Sequence, residues 1–202
     1  MKIQFKKSYS SLMVAVVLAS GLFTASCNKD SDVAPLEFNQ AKANIKVTIQ
    51  GKWGNPSKPN EWPKVYVNLK SPLYDGSKDN AQVVFENRVN GNISPNGNYK
   101  LCYVKKDINT VSKADWNLQE ASVSTVGYKY GETVKGWYEY DVATHANVAL
   151  ENVTVLVGTE AEGAKFAVRL LSFSEIEQSG TIPGPNGNLR VKGNINIEFK
   201  PL

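Results

Sequence analysis

From Ala43 onward, apolar and polar residues alternate in short runs. Ile45, Val47 and Ile49 alternate with Lys46, Thr48 and Gln50, and Val65, Val67 and Leu69 with Tyr66, Asn68 and Lys70. Further runs cover residues 81–86, 99–104, 121–130, 136–142, 153–157, 166–173 and 189–199. A period of two in β-branched and aromatic residues predicts strands with one buried face. Turn residues separate the runs: Asp75-Gly76, Asn90-Gly91, Pro95-Asn96-Gly97, Glu162-Gly163 and Pro183-Gly184-Pro185-Asn186-Gly187. Asn90-Gly91, between Val89 and Ile93, predicts a hairpin. Only Asn109–Glu120 hints at a helix, with Ser112 as its cap, and the pattern allows one short helix or none. About nine strands and almost no helix predict an all-β fold, a single antiparallel sandwich or barrel-like domain.

The N-terminus follows a different pattern. Lys2, Lys6 and Lys7 precede an apolar stretch from Leu12 to Phe23, and the small residues Thr24, Ala25 and Ser26 lead to Cys27. This is the layout of an export signal. The stretch is shorter than the roughly 20 apolar residues a spanning helix needs. With a cysteine at the cleavage point it resembles a bacterial lipoprotein signal, in which the cysteine is acylated, by palmitate-type chains, and becomes the new N-terminus. The expected organisation is a signal peptide over residues 1–26, a lipidated Cys27 with a polar tether over 27–42, and an all-β domain over 43–202. Acyl chains hold a membrane at about 0.8 kcal/mol per buried methylene. Asn28-Lys29-Asp30-Ser31-Asp32 behind the cysteine resembles the surface-export signal of Bacteroidota-type lipoproteins. The expected location is therefore the outer membrane, lipid-anchored and facing the cell surface or the periplasm.

Cleavage changes the chemistry on offer. Removing residues 1–26 leaves 176 residues, with 20 of the 23 basic side chains and all 19 acidic ones. The remainder is nearly neutral, and no run of Lys and Arg with interleaved aromatics marks a nucleic-acid footprint. Both methionines, Met1 and Met13, leave with the signal. Cys102 is then the one cysteine besides the anchor, in the apolar run Leu101-Cys102-Tyr103-Val104, and reads as a small buried hydrophobe. One cysteine and one histidine cannot assemble a Cys/His zinc site.

Catalytic motifs are missing: no G-x-S-x-G, P-loop, H-E-x-x-H or EF-hand loop occurs. Glu132, Glu139 and Asp141 come nearest to an acidic cluster, and Glu139 and Asp141 share a strand parity, as a glycosidase pair would, yet any β protein supplies such pairs. The expectation is a non-catalytic protein. Its most informative segment is Tyr128 to Asp141, two aromatic-rich runs flanking a turn, read as a hairpin. Tyr128 and Tyr130 share one strand face. Trp137 occupies one face of the next strand, and Tyr138 and Tyr140 the other. An open aromatic face suits a flat ligand, a sugar ring or a porphyrin.

Gly136-Trp137-Tyr138-Glu139-Tyr140-Asp141 followed by Thr144-His145 resembles the C-terminal half of the HmuY family of haem-binding lipoproteins. The similarity runs on through Val153–Val157, the turn Glu160–Gly163, Lys165–Phe173 and Asn194–Phe199, under half of the mature chain. The resemblance implies an all-β protein that captures haem outside the cell and passes it to an outer-membrane receptor. It places His145 near one axial iron ligand, with Tyr128, Tyr130, Trp137, Tyr138 and Tyr140 as the ligand-binding wall. Family members hold iron between two His or two Met side chains, and the mature chain lacks a second of either. A tyrosinate at Tyr128 or Tyr130, a water or a partner's residue would complete the set. The Trp-Asp strand expected soon after Val65–Leu69 is missing too, and Asp115-Trp116-Asn117-Leu118 comes closest. The competing expectation is a haem-free surface module, an adhesin or assembly subunit, binding glycan or protein through Trp53, Trp62, Tyr138 or Tyr140.

Overall fold

The computed structural model describes residues 44–71, 76–131 and 135–202. The signal segment 1–26, Cys27, the tether 27–42, Asp75 and Glu132 lie outside the described residues. The strands are β1 (Ile45–Ile49), β2 (Val65–Val67), β3 (Val83–Glu86), β4 (Asn92–Pro95), β5 (Lys100–Val104), β6 (Ser122–Val123), β7 (Gly127–Tyr128), β8 (Gly136–Asp141), β9 (Ala146–Ala149), β10 (Thr154–Thr159), β11 (Gly163–Ser179) and β12 (Arg190–Pro201). They form one six-stranded sheet, β1-β12-β11-β10-β5-β6, and two three-stranded sheets, β2-β3-β4 and β7-β8-β9. The fold is all-β and no sheet closes into a barrel.

The expected runs are present, with three more strands. Residues 121–130 divide because β6 pairs with β5 while β7 pairs with β8, so the chain crosses between sheets there. β4 and β9 are the other additions. Ser112 caps a single 3-10 turn, Lys113–Asp115: its hydroxyl accepts from the Ala114 amide, and Asp115 reaches back to the Ser112 amide. Asn117 caps the one-turn α1 (Leu118–Ala121).

A core cluster draws from all three sheets: Val67, Phe85, Ile93, Leu101, Trp137, Val155, Val168, Ile195 and Phe199 are among its members. Fully burying one such side chain contributes roughly 1.5–3 kcal/mol. β10 is buried along its whole length, on both faces. Its second face carries Leu156, which joins Cys102, Ile108, Val111 and Ala167 in a smaller cluster beside Trp116. The loop after β5 therefore covers that face of the sheet. Cys102 is fully buried, as expected, and its sulfur contacts both the amide and the carbonyl of Asn117. An isolated bridge, Ile93 to Val126, joins the β4 and β7 segments.

Two local expectations change. The β3–β4 hairpin forms where Asn90-Gly91 predicts it, with a five-residue connection, Asn87–Gly91, because Asn90 is a buried structural residue rather than a turn tip. The two aromatic runs at 128–141 do not form a hairpin. β7 and β8 run parallel, with Gly127 opposite Gly136 and Tyr128 opposite Tyr138. Gly136 permits this close approach: a Cβ there would lie 2.5 Å from the Lys129 backbone. The antiparallel edge of β8 is taken by β9 instead.

Candidate functional site

A cleft of about 570 Å³ opens beside β7, β8 and β9. Tyr128, Tyr138 and Tyr140 line it, with Asn87 and Arg88 from the β3–β4 connection, Asn92 from β4 and Asn147 from β9. Pro59, Thr125, Gly127 and Lys135 complete the wall, in which the described residues include no Asp or Glu.

The sheet explains why these rings meet. Strand alternation turns Trp137 and Tyr138 to opposite faces. Trp137 enters the core, stacks on Phe85 at 6.0 Å and donates its indole N–H to the Gly91 carbonyl at 2.8 Å. With 0% exposure it cannot touch a ligand, so its expected place in the binding wall is corrected to the core. Tyr138 is the cleft floor, only 4% exposed. Tyr128 meets it edge-on at 5.7 Å and Phe173 does the same at 5.1 Å. Its hydroxyl donates to Asn92 Oδ1 at 3.3 Å, and burial pushes its pKa up to about 12, so the phenol is neutral at physiological pH. Gly127 lets Asn92 in: a Cβ there would sit 2.1 Å from Asn92 Oδ1.

Tyr140 stands exposed at the cleft edge and its hydroxyl lies 3.0 Å from His145 Nδ1. His145 ends the turn between β8 and β9, at φ +54°. Asp141 builds that turn by accepting from the Ala143 amide at 2.9 Å and the Thr144 hydroxyl at 2.6 Å. Those bonds, the Thr144 hydroxyl first, hold the Asp141 pKa below the usual carboxylate range. Asp141 is thus a turn residue, with its oxygens committed away from Glu139. The Nε2 atom of His145 has no partner among the described residues. Tyr130, 77% exposed, is not part of the cleft lining.

Three expected residues, Tyr128, Tyr138 and Tyr140, therefore share one cleft, with His145 joined through Tyr140. The aromatics expected to be open elsewhere divide. Trp53 is exposed, with Lys192 Nζ 5.2 Å above its ring. Trp62 is 3% exposed, because Gly54 leaves room for its ring and its indole N–H donates to the Lys52 carbonyl. The sequence reading missed Arg88, Lys135 and the three asparagines. Among the described residues no cluster of three His, Cys, Asp or Glu side chains forms a metal site, and no helix is long and apolar enough to cross a membrane. No protein-family model, no curated protein and no solved structure matches this chain.

Proposed function

We propose that this chain is a non-catalytic, lipid-anchored outer-membrane protein that captures haem and yields it to an outer-membrane receptor. The supporting observation is the cleft's composition: three phenol rings and two cations, with no carboxylate among the described residues of the wall. That surface suits a ligand that is flat, aromatic and anionic. Haem has a planar macrocycle and two propionates. The cleft volume falls within the roughly 300–1,000 Å³ of ligand sites. Phenol faces and edges would pack the macrocycle, and Arg88 and Lys135 would meet the propionates. Nε2 of His145 or Oη of Tyr140 would reach the iron, both being chemically competent ligands. The lipoprotein resemblance of residues 1–27 supports the location, and the 135–199 resemblance supports the cargo.

The amides of Asn87, Asn92 and Asn147 in the same wall favour a second reading, a glycan. The two separate in one comparison. Tryptophan and tyrosine fluorescence of the full chain is followed against hemin and against a panel of neutral oligosaccharides. Haem capture predicts saturable quenching by hemin at micromolar levels or below, and none by the sugars. Saturation by a neutral oligosaccharide, with hemin inert, would replace the haem reading by the glycan one.

A further inference from the structure

The connection between β3 and β4 carries three non-glycine residues at positive φ: Asn87 (+64°), Val89 (+48°) and Asn90 (+53°). Asn87, with ψ −167°, occupies a region otherwise almost confined to glycine. Val89 is β-branched, which makes the left-handed region worse still. Such a backbone persists only where its surroundings over-determine it, and here they do. Asn90 is fully buried, with its amide donating to the Pro63 and Phe85 carbonyls and its carbonyl accepting from the Lys52 amide. Val89 is buried beside it. The Asn87 side chain accepts from the Arg88 amide at 2.7 Å, and the Gly91 amide donates to the Arg88 carbonyl.

The residue this framework leaves exposed is Arg88, which lines the cleft close enough to Tyr138 for its charge to act on the phenol. Among the described residues no carboxylate pairs with Arg88. The other cation of the wall, Lys135, already donates to the Glu120 carbonyl at 3.0 Å. We propose that Arg88, held by this strained connection, is the residue by which the cleft selects a ligand bearing carboxylates. A guanidinium pairs a carboxylate through two parallel N–H donors, and a backbone fixed before binding leaves only the side chain of Arg88 to be ordered by the ligand. The proposal rests on the haem reading and sharpens it: the free diacid is bound in preference to its neutral ester.

The test titrates the full chain with hemin and with hemin dimethyl ester, reading both absorbance and protein fluorescence. Wild type should prefer the diacid. Arg88→Gln should weaken hemin binding about tenfold, the loss of a charge-assisted pair, and leave ester binding unchanged. Arg88→Lys should fall between, and Lys135→Gln should lose less than Arg88→Gln. Arg88 is exposed, so an unchanged melting transition is expected and checks the fold. If wild type binds hemin and Arg88→Gln binds it equally well, or loses diacid and ester alike, this proposal is overturned and the haem reading stands. If wild type binds neither compound, both fall.

Discussion

Asn90→Ala should be among the most destabilising single substitutions in the domain. The asparagine side chain serves three backbone groups: it donates to the Phe85 and Pro63 carbonyls at 3.1 and 2.7 Å and accepts from the Lys52 amide at 2.9 Å. Alanine serves none of them. The bond to the Phe85 carbonyl is fully buried, and an orphaned group of that kind costs about 1–3 kcal/mol. The other two bonds are part-buried, so water can partly replace the side chain, at about 0.5–1 kcal/mol each. Alanine at φ +53° adds roughly 1–2 kcal/mol, because its Cβ crowds the following carbonyl where asparagine is tolerated. The sum is about 3–7 kcal/mol, a large share of a typical 5–15 kcal/mol stability. Urea unfolding followed by tryptophan fluorescence measures it. With a slope of about 1–3 kcal/mol/M, the midpoint should fall by at least ~1 M at unchanged slope. Asn147→Ala is the control: this asparagine lines the cleft but makes no side-chain hydrogen bond among the described residues, and its loss should shift stability by no more than ~0.5 kcal/mol. A loss below ~1.5 kcal/mol for Asn90→Ala would refute the reasoning. It would mean that the three backbone groups find other partners, and the case for a rigidly held backbone at Arg88 would go with it.

Trp137→Ala should cost about 3–5 kcal/mol in the same assay, as expected for a fully buried tryptophan, which would mark Trp137 as a core residue rather than a ligand contact. Tyr138 gives a base-side test. Its pKa is raised to about 12 in the folded protein from 10, so its contribution is complete below pH 10 and is lost as pH climbs from 10 to 12. That shift corresponds to about 2–3 kcal/mol, and Tyr138→Phe should flatten the decline of unfolding free energy over that window. Asp141→Ala should leave the melting temperature nearly unchanged yet weaken hemin binding, because the turn that presents His145 loses its two side-chain bonds. Burial raises the Cys102 thiol pKa, so a thiol reagent should label it only after denaturant is added; rapid labelling of native protein would contradict its place under the loop.

Strand positions were readable because alternation is a local property: each β residue faces the core or turns away, and the sequence shows it. The opposite parity of Trp137 and Tyr138 was legible for the same reason. Which face lies inward was not, since it depends on Phe85 and Gly91, both more than 40 residues away in sequence. Tertiary context also overrode the local signs at Trp62, where Pro63 suggested exposure and the missing side chain of Gly54 made room for burial. The parallel pairing of β7 and β8 could not be read from a turn between aromatic runs, because the partner of each edge is a global choice. Arg88 escaped notice since its direction follows from three positive φ angles, and those follow from the burial of Asn90. The run Asn87-Arg88-Val89-Asn90-Gly91 did carry a hint: two asparagines and a glycine in five residues favour left-handed backbone.

The haem reading is tested most directly by the Soret band of hemin during titration into the full chain, wild type beside the double variant Tyr140→Phe, His145→Ala. Haem capture through this cleft should give a shifted band that saturates at one equivalent in wild type, and in the variant a band altered in position and reached at higher protein concentration. A band that stays that of free hemin, or a shift identical in both proteins, would contradict it.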